Sequence, residues 1–181
     1  MPFNRLKNYP ELLDLNGLDE RARKTSLKGI FDRDITDNDN FCFRGKRIYP
    51  IKTDGEIDMG RELFHLTTEE IEEADEQGKI YKHRIYDKWR SERLHWIRPH
   101  IEEKITDSEI LVFSVSERNL RKRSNVVRTY IWNKTRKYVI VLEPQLRKGE
   151  AYYLLTAYYL NKEYAEKQME KKFKGRLEDI L

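Results

Sequence analysis

Apolar and polar residues alternate along four runs in the C-terminal half of the chain. The runs are residues 110–116, 125–132, 138–143 and 151–161, and basic residues crowd the connections between them. Alternation with a period of two is typical of strands that bury one face of a sheet. The pattern therefore predicts a small antiparallel sheet of four strands.

A helical pattern precedes the predicted sheet. Between residues 83 and 97, Trp89, Arg93 and Trp96 fall on one stripe of a helix, and Pro99 would end that helix. An arginine among packing tryptophans must be paired or must reach a ligand. After residue 161, apolar residues at helical spacing predict a final helix that extends to residue 181.

The first 80 residues carry shorter patterns. Residues 11–18 and 20–30 are candidate helices, and the alternation within residues 41–51 predicts a hairpin with its turn near Gly45. Thr67 and Glu70 form a capping box that predicts another helix, which Gly78 would end. These signals are local, so they predict elements without saying how the elements pack.

Together the patterns predict an α+β fold in which helices pack on a four-stranded antiparallel sheet, with a mixed helical and hairpin N-terminal extension. With 181 residues, the chain is long enough for one domain with an extension or for two small domains. We expect residues 1–80 to form an accessory region and residues 81–181 to form the main domain.

Charge is unevenly distributed along the chain. Residues 1–80 contain 13 Lys and Arg against 18 Asp and Glu, whereas residues 81–181 contain 23 against 14, so the net charges are −5 and +9. A basic half favours a polyanionic partner, because neutralising phosphates releases condensed counterions. The alternative is that these side chains only keep a small domain soluble. We expect RNA to be the partner.

The composition also argues against several classes of protein. No stretch reaches the roughly 20 apolar residues that cross a bilayer, and the N-terminus lacks the layout of a signal peptide. Cys42 is the only cysteine, which suits a reducing compartment, so we expect a cytoplasmic protein without membrane contact. The histidines are scattered and no glycine-rich phosphate loop occurs, so neither a metal site nor a cofactor is predicted.

Basic and hydroxyl side chains on the predicted helix and sheet suit RNA cleavage without a metal ion. That reaction needs a base for the 2′-hydroxyl proton, a cation for the charge of the phosphorane and an acid for the leaving 5′-oxygen. The predicted catalytic residues are Arg93, His95, Arg128, Tyr130 and Thr156. The predicted substrate-binding residues are Lys88, Arg121, Lys122, Arg123 and Tyr158. Each has an alternative structural role, as an ion pair, a packed side chain or a solvated charge, so the site depends on their convergence.

Four short motifs follow one another in the C-terminal half. They are Arg93 with Trp96, Ile97 and Pro99, then residues 128–132 (RTYIW), 138–143 (YVIVLE) and 153–159 (YLLTAYY). In this order they resemble the phage-associated branch of the barnase–EndoU–colicin–RelE-like (BECR) nucleases, over roughly residues 83–165. The resemblance implies a compact α+β fold and metal-independent ribonuclease activity, often in toxins or phage-linked proteins.

The resemblance also implies roles for individual residues. The family's basic helix residue would correspond to Arg93 or His95, its mid-sheet pair to Arg128 and Tyr130, and its last-strand hydroxyl to Thr156. The chain lacks a histidine late in the sheet, which leaves the general acid unassigned.

We therefore expect a metal-independent endoribonuclease that acts as a toxin or a phage-linked RNase, with a protein inhibitor or antitoxin as a further partner. Two alternatives stay open. One is a non-catalytic RNA-binding or phage structural module, and the other is an antitoxin or immunity-type protein. The nuclease hypothesis requires Arg93 and His95 to meet Thr156 in one open pocket.

Overall fold

A computed structural model describes residues 2–50, 52–53, 56–119, 123–145 and 151–181, and it has the predicted α+β class. The α-helices are α1 (Pro2–Leu6), α2 (Glu20–Phe31), α3 (Met59–Thr67), α4 (Lys88–Ser91), α5 (Ile97–Ile101) and α6 (Glu163–Lys174). The strands are β1 (Cys42–Phe43), β2 (Lys46–Tyr49), β3 (Lys52–Thr53), β4 (Glu56–Ile57), β5 (Thr68–Ala74), β6 (Ile80–Tyr86), β7 (Ile110–Asn119), β8 (Ser124–Asn133), β9 (Tyr138–Pro144) and β10 (Ala151–Tyr159). In the described part of the chain, none of the helices has the length and apolar character needed to span a bilayer.

One mixed sheet of six strands, in the order β1-β2-β10-β9-β8-β7, organises the described residues. The four predicted strands are β7 to β10, and each pairs antiparallel with its neighbour. A sheet of these four strands alone is not confirmed, because β2 pairs in parallel with β10 and brings the β1–β2 hairpin into the same sheet. The hairpin near Gly45 is confirmed, but a local alternation does not encode which distant strand it joins.

The sheet buries both of its faces. On one face, called the N-terminal face, Ile131 and Ile140 pack in one cluster with apolar residues of α2, α3 and α5. On the other, called the α6 face, Tyr130 and Val141 pack with Met169 of α6. Successive side chains of a strand point to opposite faces, so neighbouring positions of β8 and β9 enter different clusters. Burial on both sides explains why these two strands are apolar at consecutive positions.

The core beneath the N-terminal face contains side chains from both predicted regions. Phe31, Phe43 and Leu66 pack in the same cluster as Trp96 and Leu142. The boundary predicted between residues 80 and 81 falls within β6. Because stabilisation grows with the apolar area removed from water, the shared cluster stabilises both regions together.

A β-bulge interrupts β10. Leu154 pairs with Leu142 of β9, but Thr156 pairs with Val141, so the register shifts by one residue between them. A bulge places two residues of one strand opposite one residue of its partner. Strict alternation would leave Thr156 on the N-terminal face with Leu154, whereas the bulge turns it onto the α6 face with Val141.

The segment after α3 differs most from its prediction. The helix predicted from the capping box is wrong, because β5 and β6 form a two-stranded hairpin there. The continuous helix predicted for residues 83–97 is also wrong, because residues 83–86 belong to β6. The Thr67 and Thr68 hydroxyls donate to carbonyl oxygens of α3 at 2.8 and 2.6 Å, so they end one helix instead of opening another. Cross-strand pairs such as Lys82 with Glu72, at 2.7 Å, offset the helix propensity of the glutamates.

The tryptophan-rich segment consists of short pieces, which are α4, a 3-10 turn (Leu94–Trp96) and α5. Asp87 caps α4 by accepting from the Arg90 backbone N–H at 3.1 Å. Pro99 lies in the first turn of α5, where its missing N–H loses no helical hydrogen bond. The candidate helix at residues 20–30 is confirmed by α2, residues 11–18 form no helix, and α6 ends at Lys174.

Replacing Leu66 tests whether the two regions share one core. Leu66 is 1 % exposed, so Leu66→Ala leaves a cavity, and we expect the free energy of unfolding to fall by about 2–5 kcal/mol. Urea denaturation followed by circular dichroism measures the change, with Leu12→Ala as the control because Leu12 is 40 % exposed. A single transition should move to lower urea, and two separate transitions would contradict a shared core.

Candidate functional site

Four polar side chains meet on the α6 face, where the last turn of α6 reaches β7 and β8. Glu117 of β7 accepts through Oε1 from the Tyr130 hydroxyl at 2.7 Å, and the same oxygen contacts Lys172 Nζ of α6. Its Oε2 accepts from Arg128 Nη1 at 3.1 Å. We call Glu117, Arg128, Tyr130 and Lys172 the carboxylate cluster.

Strand register accounts for the cluster. On β7, Phe113 pairs with Tyr130 and Val115 pairs with Arg128, and Glu117 is the next residue of the same parity. Same-face residues of adjacent strands lie within reach of long side chains. The sequence prediction omits Glu117, although its parity with two apolar residues that face α6 is the signal that could have identified it.

The carboxylate cluster is half-buried and charged. The side chains of Glu117, Arg128 and Lys172 are 17, 32 and 35 % exposed. Burial raises the pKa of the Glu117 carboxyl, but hydrogen bonds from Lys172 and Tyr130 and the charges of Lys172 and Arg128 outweigh it and leave that pKa below 4.5. Burial and the hydrogen bond to Glu117 raise the pKa of the Tyr130 hydroxyl, which keeps it protonated. The cluster therefore presents an ionised carboxylate, two cations and a phenol on a partly open surface.

A second polar group borders the cluster on β10. Arg90 of α4 donates from Nη1 to the Thr156 hydroxyl at 3.1 Å. Thr156 and Tyr130 both pair with Val141, from opposite sides of β9, so the two groups occupy one row across the α6 face. The sequence prediction includes Thr156 but misses Arg90, because α4 approaches β10 only through tertiary packing.

Tyr158 lies between the two groups. Burial raises the pKa of its hydroxyl to about 12, while the charges of Lys172 and Arg90 oppose that rise. Its hydroxyl is 3.9 Å from the Met169 sulfur, and its ring centroid is 5.7 Å from the Arg90 guanidinium carbon. Tyr158 therefore packs against α6 and separates the cation of Arg90 from that of Lys172.

Arg90 pairs through Nε with Asp87 at 3.0 Å, and its charge also acts on His65 and Arg84. Burial, followed by the charges of Arg84, Arg90 and Arg61, lowers the pKa of His65 on α3 to about 4. Burial and the charge of Arg90 also lower the pKa of Arg84. Cations that repel one another in this way favour the binding of a polyanion.

Arg93 and His95 do not reach Thr156, so the predicted convergence of these three residues is wrong. Arg93 is 6 % exposed and donates from Nη1 to the Trp89 carbonyl at 3.0 Å. His95 is 3 % exposed and donates from Nε2 to the Glu11 carbonyl at 3.0 Å. Both belong to the layer that covers the N-terminal face, whereas Thr156 lies on the α6 face.

The predicted substrate-binding residues other than Tyr158 are dispersed. Lys88 pairs with Glu92 at 3.5 Å, and Arg123 is exposed in the turn between β7 and β8 with a positive φ. Arg121 and Lys122 lie outside the described residues. Of the predicted catalytic residues, the structure brings together those on the α6 face, which are Arg128, Tyr130 and Thr156.

His95 lines a different cleft, of about 550 Å³, together with residues of the N-terminal segment and α5. Several charged side chains of this cleft pair with one another, as Arg98 does with Asp34 at 3.7 Å and Lys104 with Glu102 at 2.6 Å. None of the carboxylate cluster lines it. Within the described ranges, no three His, Cys, Asp or Glu side chains are grouped so that they could hold a metal ion.

The burial of the His95 imidazole should make the stability of the protein depend on pH. Burial lowers the pKa of His95 from 6.5 to about 4, so only the unfolded chain binds its proton between these values, and stability falls as the pH is lowered through this range. His95→Gln retains an amide donor for the Glu11 carbonyl and removes the titration. Between pH 7 and about pH 4.5, we expect its unfolding free energy to fall by about 2 kcal/mol less than that of the unsubstituted protein.

Urea denaturation at a series of pH values measures this difference. His83→Gln on the β5–β6 hairpin is the matched control, because the His83 side chain is 36 % exposed. An unchanged pH dependence in His95→Gln would contradict the burial of a neutral imidazole at this position.

Comparisons with known proteins give no relative for this chain. No family model, no curated protein and no solved structure matches it. The resemblance to the BECR nucleases therefore stays a prediction, and the function of the site has to be inferred from its own geometry.

Proposed function

We propose that the protein is a metal-independent endoribonuclease whose site is the carboxylate cluster. The observation that carries the proposal is an ionised Glu117 held between the cations of Arg128 and Lys172 on a partly exposed part of the sheet face. These are the group types that metal-free cleavage of RNA needs, a base with positive charge beside it. The net charge of +9 on residues 81–181 supports RNA as the substrate.

In the proposed reaction, Glu117 first releases its contact with Lys172. It then takes the proton of the 2′-hydroxyl while the 2′-oxygen forms a bond to phosphorus. The bond from phosphorus to the 5′-oxygen breaks, and the Lys172 ammonium gives a proton to that oxygen. The products are a 2′,3′-cyclic phosphate and a free 5′-hydroxyl. Arg128 stabilises the negative charge that develops on the phosphorane. Tyr130 orients the Glu117 carboxylate through its 2.7 Å hydrogen bond.

Arg90 and Thr156 bind a neighbouring phosphate in this proposal. Their 3.1 Å contact lies in the same cross-strand row as Tyr130, and the charges of Arg84 and Arg61 add to that of Arg90. Phosphate contacts position a nucleic acid without reading its sequence. These residues would therefore determine the register of the strand over Glu117.

The proposal extends to the BECR-like fold and to biological context. It is supported by the antiparallel order of β7 to β10 and by the presence of Arg128 and Tyr130, the mid-sheet pair that the resemblance implies, in the carboxylate cluster. A cytoplasmic toxin or phage-linked RNase with a protein inhibitor is the context that we propose. In it, Glu117 acts as the base, and the predicted catalytic residue His95 takes no part in the reaction.

RNA binding without cleavage is the second candidate. It is favoured by the saturation of Glu117, whose two oxygens together contact three side chains. A carboxylate in this state has to release a partner before it accepts a proton, and the same arrangement would stabilise a purely structural ion cluster. Product analysis in EDTA separates the two candidates, because only the nuclease leaves fragments with cyclic phosphate ends.

Replacing Glu117 tests the proposed base. Glu117→Gln keeps the size of the side chain and removes its charge, so we expect cleavage of total RNA in EDTA to fall at least about 100-fold. Arg128→Ala should lower cleavage to a similar extent because it removes charge from the transition state. Glu109→Gln is the matched control, since Glu109 is 58 % exposed and pairs only with Lys134 among the described residues. Full activity of Glu117→Gln, with circular dichroism unchanged, would reject the site.

The pH profile tests the identity of the base independently. Because the pKa of Glu117 lies below 4.5, the active carboxylate persists above that pH and is lost as the pH falls through the pKa. The acid limb of kcat/KM should therefore lie below about pH 4.5, whereas a histidine base would place it near pH 6.5. Initial rates on a fluorogenic RNA measure the profile, with circular dichroism showing that the protein stays folded. An acid limb near pH 6.5 would contradict the assignment.

A further inference from the structure

Trp89, which precedes Arg90 on α4, presents an exposed aromatic ring. It is 46 % exposed, whereas Trp96 and Trp132 are 3 and 2 % exposed. The indole stacks on Tyr159 of β10, with ring centroids 5.4 Å apart and an angle of 19° between the planes. One face of the Trp89 ring is therefore packed, while nearly half of the side chain is open to solvent.

Arg93 holds this stack in place. Its guanidinium carbon lies 4.0 Å from the Tyr159 ring centroid and 5.5 Å from that of Trp89, and its Nη1 donates to the Trp89 carbonyl. Its Nε has no hydrogen-bond partner in the described part of the chain, so aromatic rings are its main contacts. The exposed ring is thus ordered before a ligand arrives, which lowers the entropy cost of stacking on it.

The ring and the proposed phosphate-binding group are carried by neighbouring residues of α4. Trp89 stacks on Tyr159, and Arg90 contacts Thr156 on the same strand. The charges of Arg84, Arg90 and Arg61 all act on His65. One nucleotide strand could therefore place a phosphate on Arg90 and a base on Trp89.

We propose that Trp89 stacks a nucleobase of single-stranded RNA while Arg90 holds a phosphate of the same strand. This inference rests on the proposed function, because it names the substrate class of that site. An aromatic face next to cations binds single strands with little regard to sequence. In a duplex, each base is already stacked between its neighbours, so its face is not available to Trp89. Single-stranded RNA is therefore the substrate of the site.

Tryptophan fluorescence of the full chain tests the inference. The probe is a 2′-O-methyl RNA oligonucleotide, which cannot be cleaved by 2′-hydroxyl attack, used as a single strand and annealed to its complement. We expect the single strand to quench tryptophan emission and the duplex to leave the emission unchanged. In the Trp89→Phe variant, most of the quenching by the single strand should be lost. In fluorescence anisotropy with a labelled single strand at one salt concentration, Trp89→Ala should weaken binding about tenfold or more.

Tyr81→Ala is the matched control, because Tyr81 is 45 % exposed on β6 and takes no part in the stack. It should bind the single strand like the unsubstituted protein. Equal quenching by the duplex, or unchanged binding by a folded Trp89→Ala variant, would overturn the inference. Cleavage is scored separately with Glu117→Gln. If the unsubstituted protein cleaves RNA in a Glu117-dependent way but the single strand does not quench its tryptophan emission, only the stacking is rejected. If the single strand quenches the emission but the protein does not cleave RNA, only the proposed cleavage reaction is rejected.

Discussion

Burial of both faces of β8 and β9 is the constraint on which the rest of the structure depends. Ile131 and Ile140 on the N-terminal face, and Val139 on the α6 face, have no exposed surface. Strands that are apolar on both sides must be covered by separate layers, since each face loses its stabilisation when it meets water. The N-terminal helices cover one face over a continuous core, and α6 covers part of the other.

The candidate site follows from this partial cover. Where the last turn of α6 ends, the α6 face changes from apolar residues to Glu117 and Arg128, which are neither sealed nor fully hydrated. Charges in such a position interact more strongly than in bulk water and still reach a ligand. The bulge in β10 adds Thr156 to the same row and brings it to Arg90. The geometry of the site therefore depends on how much of the α6 face is covered by α6.

The guanidinium of Arg93 has aromatic rings as partners and does not bind a ligand in the proposed site. Its place among tryptophans requires a partner or a ligand, and its guanidinium instead lies over aromatic rings, with the Trp89 carbonyl as acceptor. A guanidinium stacks on rings more readily than an ammonium, because it is planar and weakly hydrated. Arg93, which the sequence pattern predicted to be catalytic, orders the exposed ring of Trp89. In the proposed site, Arg90 and Lys172 are the cations that contact the substrate.

The sequence by itself determined those elements whose apolar and polar residues alternate with a regular local period. The alternation predicted β7 to β10 and placed Arg128 and Tyr130 on one face, and the same parity would have found Glu117. Only tertiary structure decided the parallel pairing of β2 with β10, the bulge that turns Thr156 over, and the approach of Lys172 and Arg90 to their partners. Each of these joins segments that lie far apart in the chain, and their meeting depends on which faces remain to be buried, which no local period encodes.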